Sequence, residues 1–212
     1  MSRSEQFIEK YSKTIIWCVL GVIVLGFGIW FYIHKVVKPR AEKASTELYA
    51  AEEQFMAGAD SAALSAPAAG SMGLLEIADK YSSTDAGKLA HAYAGIIYYD
   101  EGKYEEAIRE LKTFKSKEKM VAPSITRLIG DCYVELGQYD KAAKCFMDAA
   151  KAADNPVVSP SCLIKAGHVY EELGQYDKAL NAYKEIQDKY YTAPESESIE
   201  ASIIRVEAQL KK

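Results

Sequence analysis

The chain has 212 residues, 49% of them hydrophobic and 26% charged, with a formal net charge of −4. That size and composition suit one folded domain with an appendage. Six basic residues but only two acidic ones, Glu5 and Glu9, lie at or before Arg40, so the rest carries a net charge of −8. An acidic domain repels phosphate backbones, and no basic stripe interleaved with aromatics offsets it, which argues against nucleic-acid binding.

Residues 1–13 read as a short tail. From Thr14 to Ile33 the chain has no charge, and as a helix this stretch is long enough to cross ~30 Å of hydrocarbon. Trp17 at one end and Trp30 and Tyr32 at the other suit the two interfaces, and Lys10, Lys13, Lys35 and Lys38 flank the stretch. A cleaved signal peptide would have a shorter core followed by small residues. Here Lys35 to Arg40 follow instead, so residues 14–33 read as an uncleaved anchor in a lipid bilayer. Cys18 lacks the small residues that precede a lipid-attachment cysteine. Gly21 and Gly28 share a face without forming a small-xxx-small pair, and read as lipid-facing filler. Basic residues on both flanks leave the orientation open.

Residues 34–85 read as a linker and a degenerate first repeat. Pro39 should break the emerging helix, with a new one from Ala41 placing Ala44, Leu48, Ala51 and Phe55 on one face. Gly58 to Gly73, rich in Ala, Ser, Gly and Pro67, reads as a flexible insertion. Helical patterning resumes from Leu74 to Tyr81.

Residues 86–194 hold the most informative feature. Glu-Leu-Gly-Gln-Tyr-Asp-Lys-Ala occurs at 135–142 and again at 172–179, with a looser copy at 100–107. The tyrosines Tyr104, Tyr139 and Tyr176 lie 35 and 37 residues apart, close to the roughly 34-residue period of a helix-turn-helix solenoid. Gly102, Gly137 and Gly174 should end each first helix in a left-handed conformation. Glu105, Asp140 and Asp177 then bring negative charge to the start of the second. Gly95, Gly130 and Gly167, with Ala107, Ala142 and Ala179, allow paired helices to approach closely. Tyr98, Tyr133 and Tyr170, with Leu111, Phe146 and Tyr183, fill the space around that contact.

This pattern resembles the tetratricopeptide repeat, which implies an all-α helical solenoid of three repeats. The usual tryptophan of the first helix is His91, Thr126 or Leu163 here, and a late alanine of the second is kept only as Ala149, becoming Phe114 and Ile186. Pro123, Pro156 and Pro194 fall slightly late, which lengthens the inter-repeat turns. In residues 195–212, Ile199, Ile203, Val206 and Leu210 share a face, as a capping helix requires.

Catalytic and metal readings find little support. Cys132, Cys145 and Cys162 form no Cys-x-x-Cys, and His91 and His168 are not at ligand spacing, so neither metal nor cofactor is expected. The cysteines suit tight interhelical packing. A Cys145–Cys162 bridge stays open, since both flank one inter-repeat turn. Cys132 with His168 lacks any accompanying nucleophile elbow or phosphate loop, so no enzyme is expected.

The candidate binding surface is the concave face made by the first helices. Aligned on the three small-residue glycines, its positions are Leu89, Ala92, Ile96 and Tyr99; Arg127, Asp131 and Val134; and Ile164, His168 and Glu171. Such a groove could take an extended or helical peptide. Equally, Leu89 and Ile96 could pack on the degenerate first repeat. The Lys and Asn of a carboxylate-tail clamp are replaced by Ala92 and Ile96.

The short tail, single anchor, lead-in and repeats, with Tyr81-Ser-Ser-Thr-Asp-Ala-Gly-Lys-Leu-Ala90, together resemble the YfgM-type ancillary proteins of the Sec translocon in Gram-negative bacteria. That resemblance implies an inner-membrane protein with a cytoplasmic N-terminus and a periplasmic repeat domain. Its implied partners are Sec translocon subunits, periplasmic chaperones and unfolded clients. A scaffold for another envelope assembly, such as outer-membrane protein biogenesis or secretion, is the alternative.

Overall fold

The computed structural model describes residues 3–66 and 70–211, without the side chains of residues 3–10, 12, 14 and 15. Pro67, part of the expected insertion, and Lys212, at the end of the expected cap, lie outside the described residues. The elements are α1 (Arg3–Tyr32), a π-helical turn (Ile33–Val37), α2 (Lys38–Met56), α3 (Asp60–Ser65), α4 (Leu74–Lys80), α5 (Asp85–Asp100), α6 (Tyr104–Thr113), α7 (Val121–Glu135), α8 (Tyr139–Ala153), α9 (Ser159–Glu172), α10 (Tyr176–Lys189), α11 (Pro194–Ser198) and α12 (Glu200–Leu210). Among the described residues there is no strand.

The chain stays helical from Arg3 to Met56, so the expected break at Pro39 does not occur. Proline in a helix lacks one N–H and its ring crowds the carbonyl four residues back. The π turn absorbs both problems: it widens the helix just ahead of Pro39, with the Lys38 N–H donating to the Ile33 carbonyl five residues back. His34 stacks on Trp30 at 4.7 Å between centroids. Its Nδ1 reaches the Trp30 carbonyl at 3.0 Å, and Lys38 Nζ lies 3.3 Å from its Nε2. Among the described residues one helix, near the N-terminus, is long and apolar enough to cross a membrane, and its apolar part is unburied.

Among the described residues three apolar clusters form the core of the solenoid. The first joins Ala44, Leu48 and Ala51 of α2 to Leu74 and Ile77 of α4 and Ala90 and Ile97 of α5. Within the segment expected as a flexible insertion, α3 buries Ala63 in this cluster; an alanine fits where a larger side chain would hold the helices apart. The middle cluster spans α5 to α9 and the last spans α8 to α12.

Each first helix ends in the same way. Gly102, Gly137 and Gly174 have φ of +75°, +66° and +66°. The next N–H, of Lys103, Gln138 or Gln175, donates back to the carbonyl of Tyr98, Tyr133 or Tyr170 at 2.8 Å in every case. These are Schellman closures, which only a left-handed residue permits without strain. The glycines inside the first helices serve contact instead. A Cβ on Gly95 would lie 2.6 Å from Leu111 Cγ, and one on Gly130 would lie 2.6 Å from Phe146 Cε1.

At the far end the expected single cap is two helices, α11 and α12. Ile199, Ile203 and Val206 are buried as expected, but Leu210, beside the turn from Gly174 to Lys178, is 41% exposed.

Candidate functional site

Three first helices, α5, α7 and α9, line one concave cavity of about 220 Å³. Tyr99, Asp131, Val134 and His168 from the expected set meet there, joined by Glu135 and Lys165. Repetition causes this convergence, because equivalent positions in stacked repeats fall on one face. Lys165 Nζ lies 2.9 Å from Asp131 Oδ1, tying α9 to α7, and Arg127 reaches the other Asp131 oxygen at 3.9 Å. Tyr99 meets Tyr104 edge-on at 5.7 Å, and the Tyr104 hydroxyl donates to Glu135 at 3.5 Å. Burial, followed by the charges of Asp131 and Glu135, pushes the Tyr99 phenol up.

The other expected positions divide. Ala92 is only 4% exposed and belongs to the middle core cluster, so it offers no side chain to a ligand. A methyl group is short enough to be covered by the larger side chains of that cluster, which come from α6 and α7 as well as α5. Leu89 packs on the first cluster and also borders a second cavity, of about 590 Å³, beside residues 114–118. Ile96 is half-buried, and Ile164 packs on the last cluster.

Glu171 is engaged structurally. It accepts from Arg205 Nε at 3.0 Å and Nη2 at 2.8 Å, and from the Tyr183 hydroxyl at 2.6 Å. The guanidinium of Arg205 is the main cause holding the Glu171 carboxyl below its ordinary range. This pair fastens α12 over α9, which the sequence did not reveal because Arg205 is 34 residues away. Glu135 and Lys165 were also missed, although each stands one residue beyond an expected position, within the angular width of a helix face.

The thiols are poor candidates for chemistry. Cys132, Cys145, Cys162 and Cys18 are free, and burial is the main cause pushing the Cys132 thiol up to about 12. Burial also raises Cys145 and Cys162. A protonated thiol is neither a good nucleophile nor a metal ligand. Among the described residues, no group of three or more His, Cys, Asp or Glu could hold a metal ion. His91 is committed to Glu110, 2.8 Å away.

A family model for the tetratricopeptide repeat matches residues 128–156 and 160–188. The fold is a tetratricopeptide-like solenoid. Among solved structures, the chain is similar to nearly identical TPR-like repeats of a putative kinesin light chain from Podosopora anserina, with a TM-score of 0.55, 12% identity and coverage of 81% of this chain and 88% of that one. A point variant of that protein also aligns with a TM-score of 0.55, at 10% identity over the same shares of the two chains. The MamA protein aligns with a TM-score of 0.52 and 17% identity, over 79% of this chain and 90% of that one. At these identities the likeness shows the fold alone. No curated protein matches the chain. Tetratricopeptide folds generally carry protein-binding scaffolds, which gives the shared cavity its functional interest.

Proposed function

We propose that this is a single-pass membrane protein whose solenoid is a non-enzymatic scaffold, holding other proteins in the groove around Tyr99, Val134 and His168. The observation that carries this reading is the cavity itself. Three consecutive repeats contribute to it, and it combines an aromatic ring and a valine with a histidine and an acid–base pair. Apolar contact supplies energy to a bound peptide while the polar groups set its register. An unburied apolar helix at the other end supports residues 14–33 as the membrane span.

Where the solenoid works is read from the YfgM-type resemblance. On that reading the N-terminus is cytoplasmic, the repeats are periplasmic at the bacterial inner membrane, and the proteins held are Sec translocon subunits, chaperones and emerging clients. A photocrosslinker at Tyr99 or His168, followed by purification from membranes in mild detergent, tests this. SecY-type subunits or chaperones among the adducts support it, whereas adducts only to outer-membrane assembly or secretion components transfer the scaffold to that machinery. A reporter active only in the periplasm, fused after Lys212, checks the topology; activity confined to the cytoplasm overturns it.

A further inference from the structure

The helix that carries the anchor also fixes which end of the solenoid lies nearest the bilayer. Arg40 Nη2 donates to the Lys80 carbonyl at 2.5 Å, and its guanidinium lies over the Tyr81 ring at 5.8 Å. Further along, the Tyr93 hydroxyl donates to Glu52 at 2.6 Å. Thus α2 and α5 run side by side in the same direction, and the start of α5 is at the anchor's end. Helix α6 returns antiparallel, since Tyr104 at its start meets Tyr99 at the end of α5, while Glu110 further along meets His91. The segment after α6 is therefore level with the start of α5, and the two face each other across the larger cavity.

The Glu52–Tyr93 register places Asp85 level with Ala44, and from Ile33 to Ala44 the unbroken helix rises about 16 Å. The headgroup layer on each side of a bilayer is roughly 5–8 Å thick, and charges act over a Debye length of about 8 Å. The segment from Phe114 to Val121 is thus about one Debye length from the headgroups, within the reach of extended lysine side chains. It carries Lys115, Lys117 and Lys119 against Glu118 alone, whereas the opposite end of the same repeat, Asp100 to Glu106, has four acidic residues and one lysine. Among the described residues neither Lys115 nor Lys117 is in an ion pair. Met120 and Val121, 45% and 44% exposed, present apolar surface next to them.

We propose that residues 114–121 form a docking loop for an anionic lipid surface, with Lys115, Lys117 and Lys119 on phosphates and Met120 and Val121 at the interface. This docking rests on the membrane-spanning reading of α1. It would hold the first repeat down on the bilayer and leave the groove at Tyr99, on the same rigid stack, at a fixed height and tilt.

Hydrogen exchange of the full chain in phosphatidylglycerol-rich and in phosphatidylcholine nanodiscs tests the proposal. The amides of 114–120 should exchange at least about fivefold more slowly in the anionic discs, since one lysine near such a surface is worth about that factor. Protection should vanish in about 1 M salt, where the Debye length is about 3 Å, and in the triple variant Lys115→Glu, Lys117→Glu, Lys119→Glu. Unchanged exchange in α7 to α10 confirms that this variant is folded. Equal protection in both lipids, protection that survives charge reversal, or no protection in either overturns the proposal. Protection seen only in native membrane vesicles also overturns it, and assigns the loop to an acidic protein. Amides of 16–33 report separately on the span: protected in both lipids while the loop is not, they leave the anchor standing and sink only the docking; unprotected, they sink both.

Discussion

Gly167 and Tyr183 share a single volume between α9 and α10: a Cβ on Gly167 would lie 2.1 Å from Tyr183 Cε1. Tyr183 cannot give way, because it is fully buried and its hydroxyl is held by Glu171 at 2.6 Å. Gly167→Ala should therefore destabilise the last repeat by about 2–3 kcal/mol through overpacking. Gly174, in the turn that follows, has open space around its Cβ position but a φ of +66°. Gly174→Ala should cost only about 1 kcal/mol, from left-handed backbone strain. Denaturant-dependent hydrogen exchange in α10 gives both numbers. Adding Tyr183→Leu should recover part of the first loss and none of the second, and equal costs at the two glycines would refute the distinction.

The Glu171–Arg205 pair predicts how the C-terminal end responds to mutation and acid. Arg205→Ala removes both guanidinium contacts, and since Arg205 is half-exposed the loss should be modest, about 1 kcal/mol. It should speed exchange in α12 while leaving α5 to α8 unchanged. The folded state lowers the Glu171 pKa, so the pair contributes fully above the ordinary Glu value of about 4.3. That contribution is lost as the pH falls through the depressed folded value. Protection of α12 should therefore hold from neutral pH to about 5 and fall below about 4. In Arg205→Ala the acid response of α12 should be weaker, and an unchanged profile would remove Glu171 as its cause.

Repetition made most of the solenoid legible. The helix-interior glycines Gly95, Gly130 and Gly167 and their partners Leu111, Phe146 and Tyr183 recur with the same spacing as the repeated phrase, so a single unit explained three contacts. What stayed hidden is not repeated. Arg205 closes the stack from a helix with no counterpart upstream, and α3 is specified by Ala63, whose small size gives no pattern. Ala92 shows the limit of periodic reasoning within a repeat: its position faces the groove, but a methyl group there is overgrown by neighbouring helices. Whether a groove position stays open depends on the size of its side chain and of those around it.

Pro39 supplies a prediction about the anchor. If its ring is the reason for the π turn, Pro39→Ala restores an N–H that can reach the Lys35 carbonyl, and Ile33–Val37 should revert to α-helix. Removing the extra residue of the wider turn rotates everything below it by about 100° relative to α2. Spin labels at Trp17 and Tyr49 should report a changed distance distribution, while exchange in the solenoid stays as before. An unaltered distribution would place the origin of the π turn elsewhere, with His34 and its contacts to Trp30 and Lys38 the next residues to substitute.

The groove reading predicts which substitutions separate binding from stability. Tyr99 and Val134 are half-buried and His168 is exposed, whereas Asp131 is 14% exposed and bridged by Lys165. With the photocrosslinker at the other of the two positions, Tyr99→Ala and His168→Ala should each lower the yield of crosslinked partner about tenfold, the loss of roughly 1.4 kcal/mol at a binding contact. The midpoint of thermal unfolding should move little for His168→Ala. Asp131→Ala should lower both, because it also frees α9 from α7. The double substitution Asp131→Lys, Lys165→Asp should recover stability, by re-forming the bridge, without recovering binding if a partner reads the charges. Recovery of both would make the bridge purely structural and leave Tyr99, Val134 and His168 as the surface that selects a partner.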